Sequence, residues 1–371
     1  MSGISSIKCI IIAQMETIVF FIPNLGKGGA ERILVNVANK IASNYGNQYH
    51  VKIALSKKEG YYLDYVDSRV EVLDLRSERV SGSVFKLARL IRTLRKDRVH
   101  LISFLGYANI IAVLSTYLSF SRKKVDLIVS ERNHIPWGDD LKCRMVFALQ
   151  KLLYKYCNSI VTISKAISIE IVEKLHVDKN NVYTIYNPLT VPVKINSTEV
   201  RFNNNECNIV TAGRLIPVKD FPLLLNAFAI ISNNRKSRLW VLGEGPEKDN
   251  LIQLANNLGI RDKVEMCGFV DDPISYFKGA DAYVCSSVSE GFANVVLEAM
   301  ASGTRIITMS CGGPDEILEN GKWGKIVYKR EPEELANGIL DYLKEPAINC
   351  SKRMENFSID TIVKEYIHVL R

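Results

Sequence analysis

"DAYVCSSVSEGFANVVLEAMASGTRIITMS", residues 281–310, reads as a strand, a turn, a helix and a second strand. The runs "AYVCSS" and "TRIITMS" are short and apolar, with turn residues at their ends. Neither alternates apolar with polar, so both faces of each strand are buried. A helical crossover between two such strands makes them parallel neighbours in one sheet.

The same alternation extends to both sides. Toward the N-terminus of this half lie "NIVTAGR", the helix "FPLLLNAFAII", "SRLWVLGEG", the helix "EKDNLIQLANNLG", "KVEMCGF" and "ISYFKGA". The first half repeats the theme with "TIVFFIP", then "GGAERILVNVANKIAS", whose Ile33, Val37 and Ile41 share one helical face. "YHVKIALS", "VEVLDL", "VHLISFL", "VDLIVSE" and "SIVTIS" read as further strands, and "SVFKLARLIRTLRKDR" and "LKCRMVFALQKLLYKYC" as helices. Around residues 188–206 the pattern stops in prolines and asparagines without a period. The fold class is therefore α/β, with two tandem Rossmann-like domains facing an interdomain cleft. We assign residues 1–190 to the first domain, 191–206 to the linker and 207–350 to the second domain. Residues 351–371 form a C-terminal helix expected to cross back. Ligands of such sheets sit at the carboxyl ends of the strands.

A chain of 371 residues exceeds what one core usually holds, consistent with two domains. Its charged fraction of 24% and hydrophobic fraction of 47% exclude a disordered chain. The net charge of +8 is uneven: residues 1–190 hold 27 Lys and Arg against 16 Asp and Glu, and the remainder 21 against 24. A basic first half implies an anionic partner. With no nucleic-acid-binding motif beside it, that partner is an anionic membrane or a phosphorylated acceptor and not nucleic acid. The eight cysteines form no C-x-x-C pair. Cys143, Cys157, Cys267 and Cys285 sit in apolar contexts and are expected to be buried free thiols. The histidines lack metal-ligand spacing. No apolar run is long enough to span a bilayer, and residues 1–14 read as an upstream extension.

Three stretches carry chemistry. "FIPNLGKGGAERI" runs from a strand through Gly28 and Gly29 into a helix. The glycines permit positive φ and let a ligand approach the backbone, and the helix start at Ala30 offers free N–H groups. It is not the G-x-G-x-x-G of dinucleotide binders. "VTAGRLIPVKDF" sets Arg214 and Lys219 on one loop after a strand, two cations suited to a diphosphate. In "SEGFANVVLE", Glu290 leaves a strand, the turn "GFANVV" opens a helix whose N–H groups suit phosphate, and Glu298 is placed to accept from a diol such as ribose. A carboxylate at a sugar, one at a ribose and a helix terminus between them fit a nucleotide sugar.

With these residues in view the sequence resembles the family 4 retaining glycosyltransferases of the GT-B fold, in the subgroup that builds bacterial surface polysaccharides. The resemblance spans nearly the whole chain, through "GGAER", "AGRLIPVKDFPLLLNAF", "LGEGP", "CGFVDDP", "SEGFANVVLEAMASG" and "GGPDEIL". It implies a nucleoside-diphosphate sugar donor on the second domain. Arg214 and Lys219 would meet the diphosphate, Glu298 the ribose and Glu290 the sugar hydroxyls. Gly243, Glu244, Phe269 and Val270 would surround the base, and Gly291, Phe292, Ala293, Asn294 and Val295 would line the phosphates. Many members carry a histidine in a pattern like T-x-H. Here "IVSERNHIPWG" puts Arg132 or Asn133 near that position and His134 just after, leaving open which of Glu131, Arg132 and His134 faces the donor. No D-x-D triplet occurs, so no metal is expected, and the nucleotide sugar is a substrate rather than a cofactor.

The expected activity is retaining transfer of a hexose or N-acetylhexosamine, from a UDP-sugar, to a lipid-linked saccharide. The enzyme would be cytoplasmic and peripheral on the inner face of the membrane. Catalysis would rest on Glu290, Arg214 and Lys219 with Arg132 and His134. A non-catalytic sugar-nucleotide-binding subunit and a dinucleotide-dependent oxidoreductase are the alternatives. The intact charged residues speak against the first and the absent fingerprint glycines against the second.

Overall fold

The structure is a computed structural model. It describes residues 15–94, 98–135, 141–189, 200, 202–203 and 205–370. The proposed extension 1–14 and most of the linker lie outside the described residues.

Among the described residues, thirteen strands form two sheets. The strands of the first are β1 (Glu16–Ile22), β2 (Tyr49–Leu55), β3 (Glu71–Asp74), β4 (Val99–Phe104), β5 (Val125–Glu131), β6 (Ser159–Thr162) and β7 (Val182–Thr184). Those of the second are β8 (Cys207–Ala212), β9 (Ser237–Leu242), β10 (Val264–Gly268), β11 (Ala282–Cys285), β12 (Arg305–Met309) and β13 (Lys325–Val327). Between and after them run α1 (Gly29–Tyr45), α2 (Ser83–Thr93), α3 (Gly106–Leu118), α4 (Leu141–Leu153), α5 (Lys165–Leu175), α6 (Phe221–Asn234), α7 (Lys248–Asn257), α8 (Pro273–Gly279), α9 (Asn294–Ser302), α10 (Gly313–Ile317), α11 (Pro332–Tyr342), α12 (Ser351–Met354) and α13 (Ile359–Val369).

The first sheet has the order β3-β2-β1-β4-β5-β6-β7 and the second β10-β9-β8-β11-β12-β13. The registered strand pairs in both are parallel. Central strands β4 and β5 are buried along their whole length, as expected where helices cover both faces. In each sheet the order reverses beside the first strand, between β1 and β4 and between β8 and β11. Crossovers then leave toward opposite faces and open a crevice at the carboxyl ends of those strands. The residues "VTAGRLIPVKD" follow β8, and "SSVSEGFAN" follows β11, so sequence and topology converge on one crevice.

By packing, the chain divides into two compact units. One holds the described residues through Val129 with Tyr156–Asn158 and Leu370. The other holds Ser130–Lys155 and Ser159–Val369. Arg132, His134 and the segment 186–189 therefore belong to the same unit as the second sheet. The core of that sheet gathers Phe221, Leu224, Phe228 and Ile231 of α6 with Ile209, Leu239, Val284 and Ile307 of the strands.

The thiols depart partly from expectation. Cys157 and Cys285 are buried, but Cys143 and Cys267 are only half-buried. Cys267 lies on β10, the edge strand, and Cys143 in the first turn of α4.

Candidate functional site

The crevice of the second sheet is assembled from glycine turns. After β9, Gly243 has φ +149 and packs so close to the turn after β8 that a Cβ there would lie 1.9 Å from the Gly213 carbonyl oxygen. The Gly243 N–H donates to the Gly268 carbonyl at 2.7 Å, and the Leu215 N–H donates to the Glu244 carbonyl at 2.9 Å. A Cβ on Gly268, at φ +73, would meet the Glu244 carboxylate at 3.5 Å, and Phe269 beside it is 45% exposed. Val270 is half-buried. The turns carrying Gly243, Glu244, Phe269 and Val270 thus join the β8 turn that carries Arg214 and Lys219.

Arg214 and Lys219 do not act as a matched pair. Arg214 is exposed. Lys219 ends a short helical turn, Pro217–Lys219, and its ammonium is hydrogen-bonded to Glu290 Oε1. Ser287 Oγ donates to the same oxygen at 2.7 Å. The Glu290 backbone is fixed as well: its N–H donates to the Cys311 carbonyl at 2.8 Å, and its own carbonyl accepts from Gly313 at 2.9 Å. Glu290 is therefore held on both sides, and its carboxylate faces Lys219. Cys285 and Cys311 hydrogen-bond to each other nearby. That bond holds the Cys285 thiol below its ordinary range and pushes the Cys311 thiol above it.

The helix expected to open at Gly291 begins three residues later, at Asn294. Ala293 takes the left-handed conformation, φ 63 and ψ 73, and no side chain caps the terminus. A non-glycine residue there is strained and persists only where surroundings fix it. Gly291 is pinned by the Arg132 carbonyl and Phe292 by Gly313, whose Cβ would lie 2.5 Å from the Phe292 Cα. The first turn of α9 contains no acidic residue, so its N–H groups and partial positive charge are available to an anion. Val295 lies in that turn. Glu298, one turn on, is 2% exposed rather than open. Helical side chains lean toward the N-terminus, so it lies back toward Asn294.

The order of Glu131, Arg132 and His134 is resolved by their partners. Glu131 turns away to α4, where Gln150 Nε2 donates to it at 3.0 Å and the Tyr154 hydroxyl also donates. Arg132 is buried and donates to Asn187 Oδ1 at 2.9 Å, and Asn187 Nδ2 donates to Asn294 Oδ1 at 2.7 Å. His134 Nδ1 sits 2.7 Å from Glu170, and its Nε2 lies 3.7 Å from where a Cβ on Gly312 would be. Asn133 is exposed. Arg132 and His134 thus converge on Asn294 and on the Glu290–Gly312 bridge.

Gly28 and Gly29 belong to the other unit, and Gly28 does not use the positive φ open to it. Gly28 precedes α1 at φ −81 and ψ 159, an extended conformation open to any residue. Glu31 folds back over it, so this terminus already carries a carboxylate.

Several contributors were missed from sequence. Arg330 donates to Asp220 at 2.9 Å and to the carbonyls of Ser286 and Ser287 at 2.8 and 2.6 Å, stapling the Glu290 loop to α6. Nothing in "YKREPEE" announces it. Glu316 accepts from the Lys165 N–H and from the Tyr186 hydroxyl at 2.6 Å. Burial, and then Glu316, push that hydroxyl well above the ordinary phenol range. Tyr186 stacks on Phe292, with ring centroids 5.6 Å apart. Gly312 and Glu316 lie in "GGPDEIL", the visible signal for them.

Models of two known domains match the chain: Glycosyltransferase Family 4 over residues 27–191, and Glycosyl transferases group 1 over residues 193–360. The chain belongs to the family 4 glycosyltransferases. An uncharacterized glycosyltransferase of Haemophilus influenzae is 27% identical over 96% of this chain and 100% of its own length. A Campylobacter jejuni enzyme is 24% identical over 89% of this glycosyltransferase and 91% of itself. It is named N-acetylgalactosamine-N,N'-diacetylbacillosaminyl-diphospho-undecaprenol 4-alpha-N-acetylgalactosaminyltransferase. Among solved structures, Anabaena HepE in complex with UDP and glucose superposes with a TM-score of 0.75, at 19% identity, over 96% of this chain and 99% of that one. The fold of the glycosyltransferase is GT-B.

Proposed function

We propose that this glycosyltransferase moves a hexose or N-acetylhexosamine from a UDP-sugar to a lipid-linked saccharide, with retention at the anomeric carbon, in the building of a surface polysaccharide. The observation that carries the donor side is the uncapped, acid-free start of α9 beside the Lys219–Glu290 pair. A diphosphate at that terminus would draw Lys219 from Glu290 and free the carboxylate for the sugar hydroxyls. The leaving diphosphate gains charge during transfer, so Lys219, Arg214 and the α9 N–H groups stabilise the transition state more than the ground state. No metal enters this scheme. We assign no protein nucleophile and take the leaving phosphate as the group that receives the acceptor proton. His134 and Arg132 then position the donor against that face.

The acceptor side is supported by the C. jejuni relative, whose named acceptor is a diphospho-undecaprenol saccharide. Charge supports a membrane-borne acceptor as well: α2 exposes Lys86, Arg89 and Arg92 beside Phe85, which is 73% exposed. Such cations are attracted to anionic head groups by roughly 1 kcal/mol each. Arg95 and Lys96, which continue this run, lie outside the described residues. No described helix is long and apolar enough to cross a membrane, and we place the enzyme peripherally on the cytoplasmic face.

A panel of nucleotide sugars tested for protection against thermal unfolding identifies the donor, and NMR of the product anomer tests retention. Transfer with inversion, or activity abolished by a chelator and restored by magnesium or manganese, contradicts the mechanism.

A further inference from the structure

Helix α4 is apolar on the side that faces away from the protein. Leu141 is 79% exposed, Met145 55% and Leu152 54%, and Ala148 between them is exposed too. Spacings of four, three and four put these residues on one helical stripe. The opposite side buries Gln150 and Leu153. An amphipathic helix that served only its own core would turn its leucines inward. This one keeps a buried anchoring side and adds a second apolar side in the open.

The charges beside the stripe say what covers it. Lys142, Arg144 and Lys151 are exposed along α4, and Lys155 follows. From Leu141 to Ile169 there is no Asp or Glu. A second copy of the helix would set cations against cations. Acyl chains under anionic head groups take up both the stripe and the cations. The inner side of α4 is also wired toward the site: Gln150 and Tyr154 hold Glu131, and the next residue, Arg132, reaches Asn187 and through it Asn294.

We propose that α4 lies in the interface of an anionic membrane, with Leu141, Met145 and Leu152 among the acyl chains and Lys142, Arg144 and Lys151 among the head groups. This rests on the reading of a membrane-borne acceptor and names the element that meets the lipid. The lipid-facing helix is then one hydrogen-bonded step from the residues that meet the donor.

The test is co-sedimentation of the full chain with vesicles of phosphatidylglycerol and phosphatidylcholine, at low and at high salt. The variant L141S/M145S/L152S changes only exposed positions and should melt like wild type. Its partitioning should fall at least tenfold at both salt concentrations, because apolar contact is not screened. K142Q/R144Q/K151Q should fall at low salt and match wild type at high salt. If the serine variant pellets like wild type, α4 is not the lipid-facing element, although the membrane reading survives. A wild type that never pellets overturns both. A wild-type dimer that the serine variant turns into a monomer gives the stripe to a second copy and overturns the proposal.

Discussion

The molecule contains two crevices of the same topology with different side chains around them. In the first sheet the chain reverses beside β1, and in the second beside β8. Both have a strained non-glycine residue opening the helix after the crossover strand, Leu105 at φ 80 before α3 and Ala293 at φ 63 before α9, and the second adds Asp220 at φ 45 before α6. The starts of α3 and α9 are alike in a second way, since neither has an acid in its first turn or a side-chain cap; the other helices and loops differ. The first crevice places Glu31 in the first turn of α1, folded over Gly28, so an arriving anion meets a carboxylate. Beside its other helix stands Tyr107, 43% exposed. In the second crevice α9 has no acid in its first turn, and Lys219, Glu290 and the Asn187–Asn294 bond surround it. Strand order makes a crevice, and the side chains around it differ between the two halves.

Breaking the second crevice should cost the most. Lys219→Ala should lower turnover about a hundredfold, the usual cost of removing one preorganised donor to developing charge. It also leaves Glu290 facing the diphosphate without its cation. Steady-state kinetics with a melting curve decide this, and near-normal turnover in a folded variant rules out the role given to Lys219. Gly243→Ala should come next. Its Cβ would overlap the Gly213 carbonyl at a backbone angle suited to glycine, so about 2 kcal/mol of stability should be lost, read by denaturant unfolding. An unchanged midpoint would mean that the three turns are not packed as described.

Glu298→Gln should raise the donor KM about tenfold with little change in kcat, since a ribose contact is similar in ground and transition states. A fall in kcat alone would move Glu298 from binding to chemistry. The smallest effect belongs to the first crevice. Gly28→Ala meets only the movable end of Glu31 and should change stability by less than about 0.5 kcal/mol. A larger loss would show that the extended Gly28 turn is under a constraint its dihedrals do not reveal.

The strand–helix alternation was legible because buried parallel strands leave short apolar runs between helical periods, as at Ala282–Cys285 and Arg305–Met309. Lys219 and Glu290 were legible as candidates because each lies in a loop that leaves a strand. Their pairing was not, because 71 residues separate them and only the sheet order brings them together. Local sequence also misplaced the start of α9. Alanine favours helix, yet Ala293 takes the left-handed conformation, beside Gly291 and Phe292 that pack closely against Arg132 and Gly313. At Gly28 the sequence permitted positive φ, and the chain took an ordinary extended turn instead. Arg330 and Asn187 act on loops distant in sequence, and neither sits in a pattern that distinguishes it from a surface residue.

The difference between the crevices is tested most directly by the thermal shift that UDP produces in three proteins: wild type, Lys219→Ala and Gly28→Ala. Ligand that binds only the folded state stabilises it by RT ln(1 + L/Kd), with L the free ligand concentration, so tighter binding raises the melting temperature more. Wild type and Gly28→Ala should be raised equally, and Lys219→Ala should be raised little or not at all. A full shift in Lys219→Ala, or its loss in Gly28→Ala, would place the diphosphate in the first crevice and contradict the account.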